Sequence, residues 1–254
     1  MKRQELATMP ASWEFYLCVI ERYPASMMVD LAWHPHAPVR QYPVLLEVDV
    51  SLLIPDEDGL SDPREAQRLF ALEDQLAVGM SANLNGWYVG RMTRKGKRIF
   101  YFYAPTSTDV QQEVHKILGN FLEYNWMVIH QYDPQWILYR ELLVPSEEEA
   151  HLIKNRRALD ELVRRGDRLK RPRPITHQFQ FESEHQVSVF LQQVGLHREQ
   201  DASVRINEEG IQVSFIRESG IERHFLDGIT WEFAQLGKQC GGSYLGWRSE
   251  VISS

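Results

Sequence analysis

The chain has 254 residues, 43% hydrophobic and 25% charged, with 28 basic against 35 acidic side chains and a net charge of −7. This length and composition suit two globular domains and exclude a disordered chain, a collagen-like repeat or a disulfide-stapled miniprotein. The acidic balance argues against wholesale wrapping of nucleic acid, which needs a basic surface, but leaves room for a local basic patch.

Residues 13–20 and 26–33, rich in aromatic and large apolar side chains, predict two strands around a turn at Tyr23-Pro24-Ala25. A strongly apolar strand follows over 43–53. Alternation puts Leu45, Glu47 and Asp49 on one of its faces and Leu46, Val48 and Val50 on the other. Asp62, Pro63 and Glu65 open a helix in which Leu69, Leu72 and Leu76 recur at helical spacing, with Gly79 as the expected stop. Strands at 84–92 and 98–104 flank a basic hairpin tip, Arg94-Lys95-Gly96-Lys97. A helix is expected from near Thr108, then a strand over 125–131, with 136–143 pairing to it or extending it.

Ser146 and Glu149 have capping-box spacing and open a helix to about Arg165, ended by Gly166. Arg171-Pro172-Arg173-Pro174 is an extended connector into a strand over 177–181. Ser183 and Gln186 cap a further helix that stops at Gly195. Strands at 197–206 and 211–217, joined by Asn207-Glu208-Glu209-Gly210, precede a helix over 221–238 and a last strand over 246–252. The order β-α-β-β-α-β thus occurs twice. The expected fold is α+β: two ferredoxin-like (split βαβ) domains with antiparallel sheets, residues 1–145 and 146–254, the first with an extra N-terminal hairpin.

The longest early apolar run, Phe15–Ile20, is too short for a membrane span or a signal peptide's apolar region. Cys18 and Cys240 form neither a disulfide framework nor zinc-ligand spacing. A soluble, reduced, cytoplasmic protein is the expectation. No nucleophile elbow, Walker loop, zincin helix or dinucleotide fingerprint occurs, so no catalytic residues, no metal site and no cofactor are expected. His34 and His36 lack further ligands nearby. Glu47 and Asp49 could do acid/base work as a pair, but a solvent-facing strand edge explains them equally well.

Charge is where the sequence is uneven. Residues 154–173 hold nine cations (Lys154, Arg156, Arg157, Arg164, Arg165, Arg168, Lys170, Arg171 and Arg173) against three acids, a balance of +6 that leaves −13 for the remainder. Such a segment can meet RNA or an acidic partner, or pack on the protein's own acidic surface. The acidic run Asp56-Glu57-Asp58 could meet a basic partner. Arg164, Arg165, Arg168 and Arg171, with Asp56, Glu57 and Asp58, are the candidate partner-binding residues. Phe179, Phe181, Val213 and Phe215 could form an RNA-binding sheet face, but residues 210–217 lack the signature of an RNA-recognition motif, and a core role fits them better. Trp13, Trp33, Trp87, Trp126 and Trp136 fit a core or a recognition surface.

The stretch Leu162-Val163-Arg164-Arg165-Gly166-Asp167, then Pro172-Arg173-Pro174-Ile175-Thr176-His177, resembles the opening of the regulator of ribonuclease E activity B (RraB) family. Gly241-Gly242-Ser243-Tyr244-Leu245-Gly246-Trp247 resembles its close, with Leu245 where an acidic residue is usual. The resemblance covers about residues 155–254. Residues 10–143, through the aromatic first strands and Pro43-Val44-Leu45-Leu46-Glu47-Val48, resemble a bacterial domain of unknown function (695). The resemblance implies a non-enzymatic bacterial regulator whose partner is a protein, ribonuclease E or another RNA-processing nuclease. Two alternatives stay open: a toxin-antagonist or immunity-type binding protein, and direct RNA binding through residues 154–173.

Overall fold

In the computed structural model, which describes residues 10–198, 200–208 and 210–252, the chain first reverses at Glu21 and Arg22, both left-handed (φ 49° and 72°). Such a two-residue turn matches the twist of a hairpin, here β1 (Trp13–Ile20) and β2 (Tyr23–Asp30). The turn therefore precedes Tyr23, and Pro24 lies inside β2 opposite Val19. The next strand pairs with β2 only from Ser26 to Val29, so the missing N–H of Pro24 interrupts no ladder on that side. Leu31–Trp33, expected as strand, form a short 3-10 turn because the Asp30 carboxylate accepts from Ala32 N.

The chain divides into two compact units, Met1–Ser146 and Glu147–Ser254. In the first, β3 (Val44–Ser51), β4 (Trp87–Arg94), β5 (Lys97–Ala104) and β6 (Trp126–Tyr132) complete an antiparallel six-stranded sheet in the order β1-β2-β4-β5-β3-β6. Helices α1 (Pro63–Leu84) and α2 (Val110–Ile117) cover Leu46, Val48, Val50, Phe100 and Phe102. The Asp62 carboxylate caps Arg64 N, while Glu65 turns away to accept from Leu53 N and Ile54 N, both at 3.0 Å. Gly79 does not stop α1, which runs on to a left-handed Asn85 (φ 55°). Gly79 is instead where α1 meets α2: a Cβ there would lie 2.6 Å from Ile117 Cδ1.

Residues 136–143 are not a strand. Asp133 accepts from Ile137 N, Leu138 N and the Tyr103 hydroxyl, which starts a helical segment that continues as one π-helical turn, Tyr139–Leu143. That segment is pinned at both ends. Trp136 stacks on Tyr103 with centroids 4.0 Å apart and donates to Tyr42 O, and Tyr16 donates to Leu143 O. Trp33 and Trp136 are buried and Trp87 packs against Trp33, so most of the tryptophan-rich region is core. Trp13 is exposed.

The second unit begins with α3 (Glu147–Arg164) and holds an antiparallel four-stranded sheet in the order β10-β7-β9-β8. Its strands are β7 (Arg173–Phe181), β8 (Ala202–Asn207), β9 (Gly210–Ser219) and β10 (Ser243–Arg248). Helix α4 (Glu184–Val194) follows β7, with the Ser183–Gln186 capping box formed and Gly195 left-handed at its end. Helix α5 (Arg223–Gln239) follows β9. Phe179, Phe181, Phe190, Phe215 and Phe233 form one buried cluster between sheet and helices. Three boundaries differ from expectation. β7 starts at Arg173, inside the expected connector: β10 pairs with it only from Thr176 on, so Pro174 meets no ladder on that side. β8 starts at Ala202, later than expected, and β10 spans Ser243–Arg248 rather than 246–252. Glu199 and Glu209, within the expected strand and turn, lie outside the described residues.

Candidate partner-binding surfaces

The basic segment separates into a buried member and an exposed group. Arg173 is 3% exposed and pairs with Asp167, which is 4% exposed, donating to both carboxylate oxygens. Asp167 also accepts from Leu169 N and Ile252 N, and Arg173 donates to Glu250 O. This arrangement, the Arg173 guanidinium foremost, holds the Asp167 carboxyl well below the usual carboxylate range. Arg173 is thus a structural residue. Around the clasp the chain makes a tight loop in which Arg165, Arg168, Lys170 and Arg171 are exposed. Arg164, on the last turn of α3, pairs with Glu161 at 2.8 Å, both in solvent.

Asp56, Glu57 and Asp58 lie in the loop between β3 and α1, in the other unit, and all three are exposed. Their roles differ. The Asp56 carboxylate accepts from Asp58 N and Leu60 N, which fixes the loop's own turn. The loop backbone docks on the basic hairpin tip through Gly96 N to Gly59 O at 2.8 Å. Glu57 and Asp58 are exposed, and their side chains make no hydrogen bond or ion pair among the described residues. At the tip, Arg94 and Lys95 are met by Glu21.

Sheet faces decide the stacking question. Phe179, Phe181, Val213 and Phe215 are buried under α4 and α5. The opposite face of that sheet carries Thr176, Gln178, Gln212, Ser214 and Ile216, with no aromatic ring among them. Base stacking, the usual way a sheet holds single-stranded RNA, has no platform there. In the first unit β3 lies between β5 and β6, so Glu47 and Asp49 sit inside the sheet rather than at a solvent-facing edge. His34 and His36 are exposed, and no metal-ligand cluster occurs among the described residues.

Two polar clusters that the sequence did not announce lie in the second unit. His177, fully buried, shares a hydrogen bond of 2.9 Å between Nδ1 and the Tyr244 hydroxyl. Burial, helped by the Arg217 charge, pushes the His177 pKa down to about 4. Asn155 donates to Asp227 and Thr230 and accepts from Trp247 Nε1, tying α3, α5 and β10 together. Trp247 is therefore an anchor, as is half-buried Trp231 beside His151. Leu245, at the position read as departing from the family's acidic residue, is exposed on a bulge. A cavity of about 310 Å³ opens beside His151, Trp231 and Tyr244.

Both units are antiparallel sheets packed with helices. The chain belongs to the family of unknown function DUF695, which matches residues 11–144. Residues 152–249 match the family Regulator of ribonuclease activity B. The two resemblances drawn from the sequence are thereby borne out, in the order and span expected. No curated protein matches the chain. No helix among the described residues is long and apolar enough to cross a membrane.

Proposed function

We propose that the chain is a non-catalytic, cytoplasmic regulator that binds an RNA-processing endoribonuclease, of the ribonuclease E kind, and modulates its activity. The observation that carries this reading is the match of residues 152–249 to Regulator of ribonuclease activity B. We further infer that both units are built on the split βαβ plan. The order β10-β7-β9-β8, with helices after its first and third strands in sequence, supports this, as does β6-β3-β5-β4 in the first unit.

The contact surface in this reading is the clasped loop, with Arg164, Arg165, Arg168 and Arg171 facing an acidic patch of the nuclease. Asp56, Glu57 and Asp58 provide a second, oppositely charged contact. Rigid presentation favours binding, because little ordering entropy remains to be lost. The experiment is surface plasmon resonance of the full chain against the endoribonuclease, with RNA cleavage followed in parallel. Binding that slows or redirects cleavage, and that weakens when Arg165, Arg168 and Arg171 become Glu, is the expected result. Absence of binding, or arginine-dependent binding to RNA alone, overturns the reading.

A further inference from the structure

The face of the first sheet turned away from α1 and α2 carries Leu45, Glu47 and Asp49, since Leu46, Val48 and Val50 are the residues packed beneath the helices. The register places Tyr101 and Ile129 on either side of Glu47, and Ile99 and Met127 on either side of Asp49. Met127 and Ile129 are 48% and 41% exposed, so this part of the face is open to solvent. Asp49 nevertheless is 8% exposed, and its Oδ1 is buried with no hydrogen-bond partner. Its Oδ2 has Lys97 Nζ at 3.6 Å, the end of a half-exposed side chain outside hydrogen-bond range. Glu47 is half-buried and has no ion pair or hydrogen bond among the described residues. Arg94, the other cation near this face, is engaged by Glu21 at 2.6 Å.

Two neighbouring carboxylates, one buried and one half-buried, thus have a single loose cation, Lys97 beside Asp49. Burial, and for Glu47 the Asp49 charge as well, raises the pKa of both. Such an arrangement costs folding free energy and is relieved by protonation or by a cation brought against it.

We propose that Glu47 and Asp49 form a receptor for an arginine side chain on a basic segment of a partner protein. The guanidinium fork supplies donors to the half-buried Glu47 carboxylate and to Asp49 Oδ2, where it displaces Lys97. Its aliphatic stem lies on Met127 and Ile129, which explains apolar side chains left in solvent beside two acids. The site belongs to the first unit and stands without the ribonuclease reading, so either can fail alone.

The probe is a fluorescein-labelled peptide of alternating arginine and leucine, titrated into the full chain and read by anisotropy, with Tm recorded for every variant. Glu47→Gln with Asp49→Asn weakens the peptide at least about tenfold while Tm holds or rises, because a buried repulsion has been removed. Asp74→Asn with Glu232→Gln changes net charge by the same amount at exposed helix positions and leaves the affinity within about twofold. Met127→Arg, at an exposed position that does not threaten folding, supplies a guanidinium in cis and weakens the peptide as well. Equal weakening by the two amide pairs, or no weakening by Glu47→Gln with Asp49→Asn or by Met127→Arg, overturns the proposal.

Discussion

Asp167 and Arg173, six positions apart, meet as a buried two-pronged ion pair that shapes the basic loop between them. Removing the acid leaves a guanidinium out of water with no counter-charge. Asp167→Ala is expected to cost about 3–5 kcal/mol, measured by urea unfolding. The sign with pH follows from a folded pKa held below the unfolded value. The pair's stabilisation is complete well above the unfolded carboxylate pKa of about 4 and is lost as pH falls beneath it.

His177 gives a second acid-sensitive contribution, at higher pH. Its pKa is about 4 in the fold, against an unfolded value near 6.5. The neutral ring is the one that fits, so stability is intact above about pH 6.5 and declines as pH falls towards 4, by up to about 3 kcal/mol. Thermal melts across that interval measure the slope. His177→Gln is expected to flatten it, since an amide that can partner the Tyr244 hydroxyl does not titrate.

Gly79 should resist the substitution that helix propensity favours. Alanine in mid-helix gains about 1 kcal/mol over glycine, but its methyl meets Ile117 Cδ1 at 2.6 Å. Overpacking of this kind costs about 1–3 kcal/mol. Gly79→Ala is expected to lower stability, and Ile117→Ala to restore part of the loss in the double variant. A double-mutant cycle by chemical denaturation measures the coupling.

Charge reversal on the exposed loop should separate binding from folding. Arg165, Arg168 and Arg171 make no ion pair among the described residues and stand in solvent, so replacing all three by Glu is expected to shift stability by less than about 1 kcal/mol. A large loss in Tm would mean that these arginines serve the fold.

Much of the fold was legible because the periodic signals were local. Leu69, Leu72 and Leu76 marked α1, Ser183 and Gln186 marked the start of α4, and Lys95-Gly96 marked the hairpin tip. What misled was punctuation. Gly79 looks like a stop but is a point of helix contact, and Pro24 and Pro174 look like breaks but sit where one neighbouring strand is missing. Those readings depend on partners far along the chain. The site was legible as composition only: nine cations stood out, but nothing local distinguished buried Arg173 from exposed Arg171. Glu47 and Asp49 looked like ordinary outward carboxylates because β3 alternates, and only the sheet order shows that neighbours bury them.

The amide of Ile252 donates to the same carboxylate that grips Arg173. The backbone beyond β10 is therefore laced into the loop that follows α3. Removing that amide, as Ile252→Pro does, would loosen the cationic surface without touching any of its arginines. A change at that one backbone group would be felt at a surface more than eighty positions upstream.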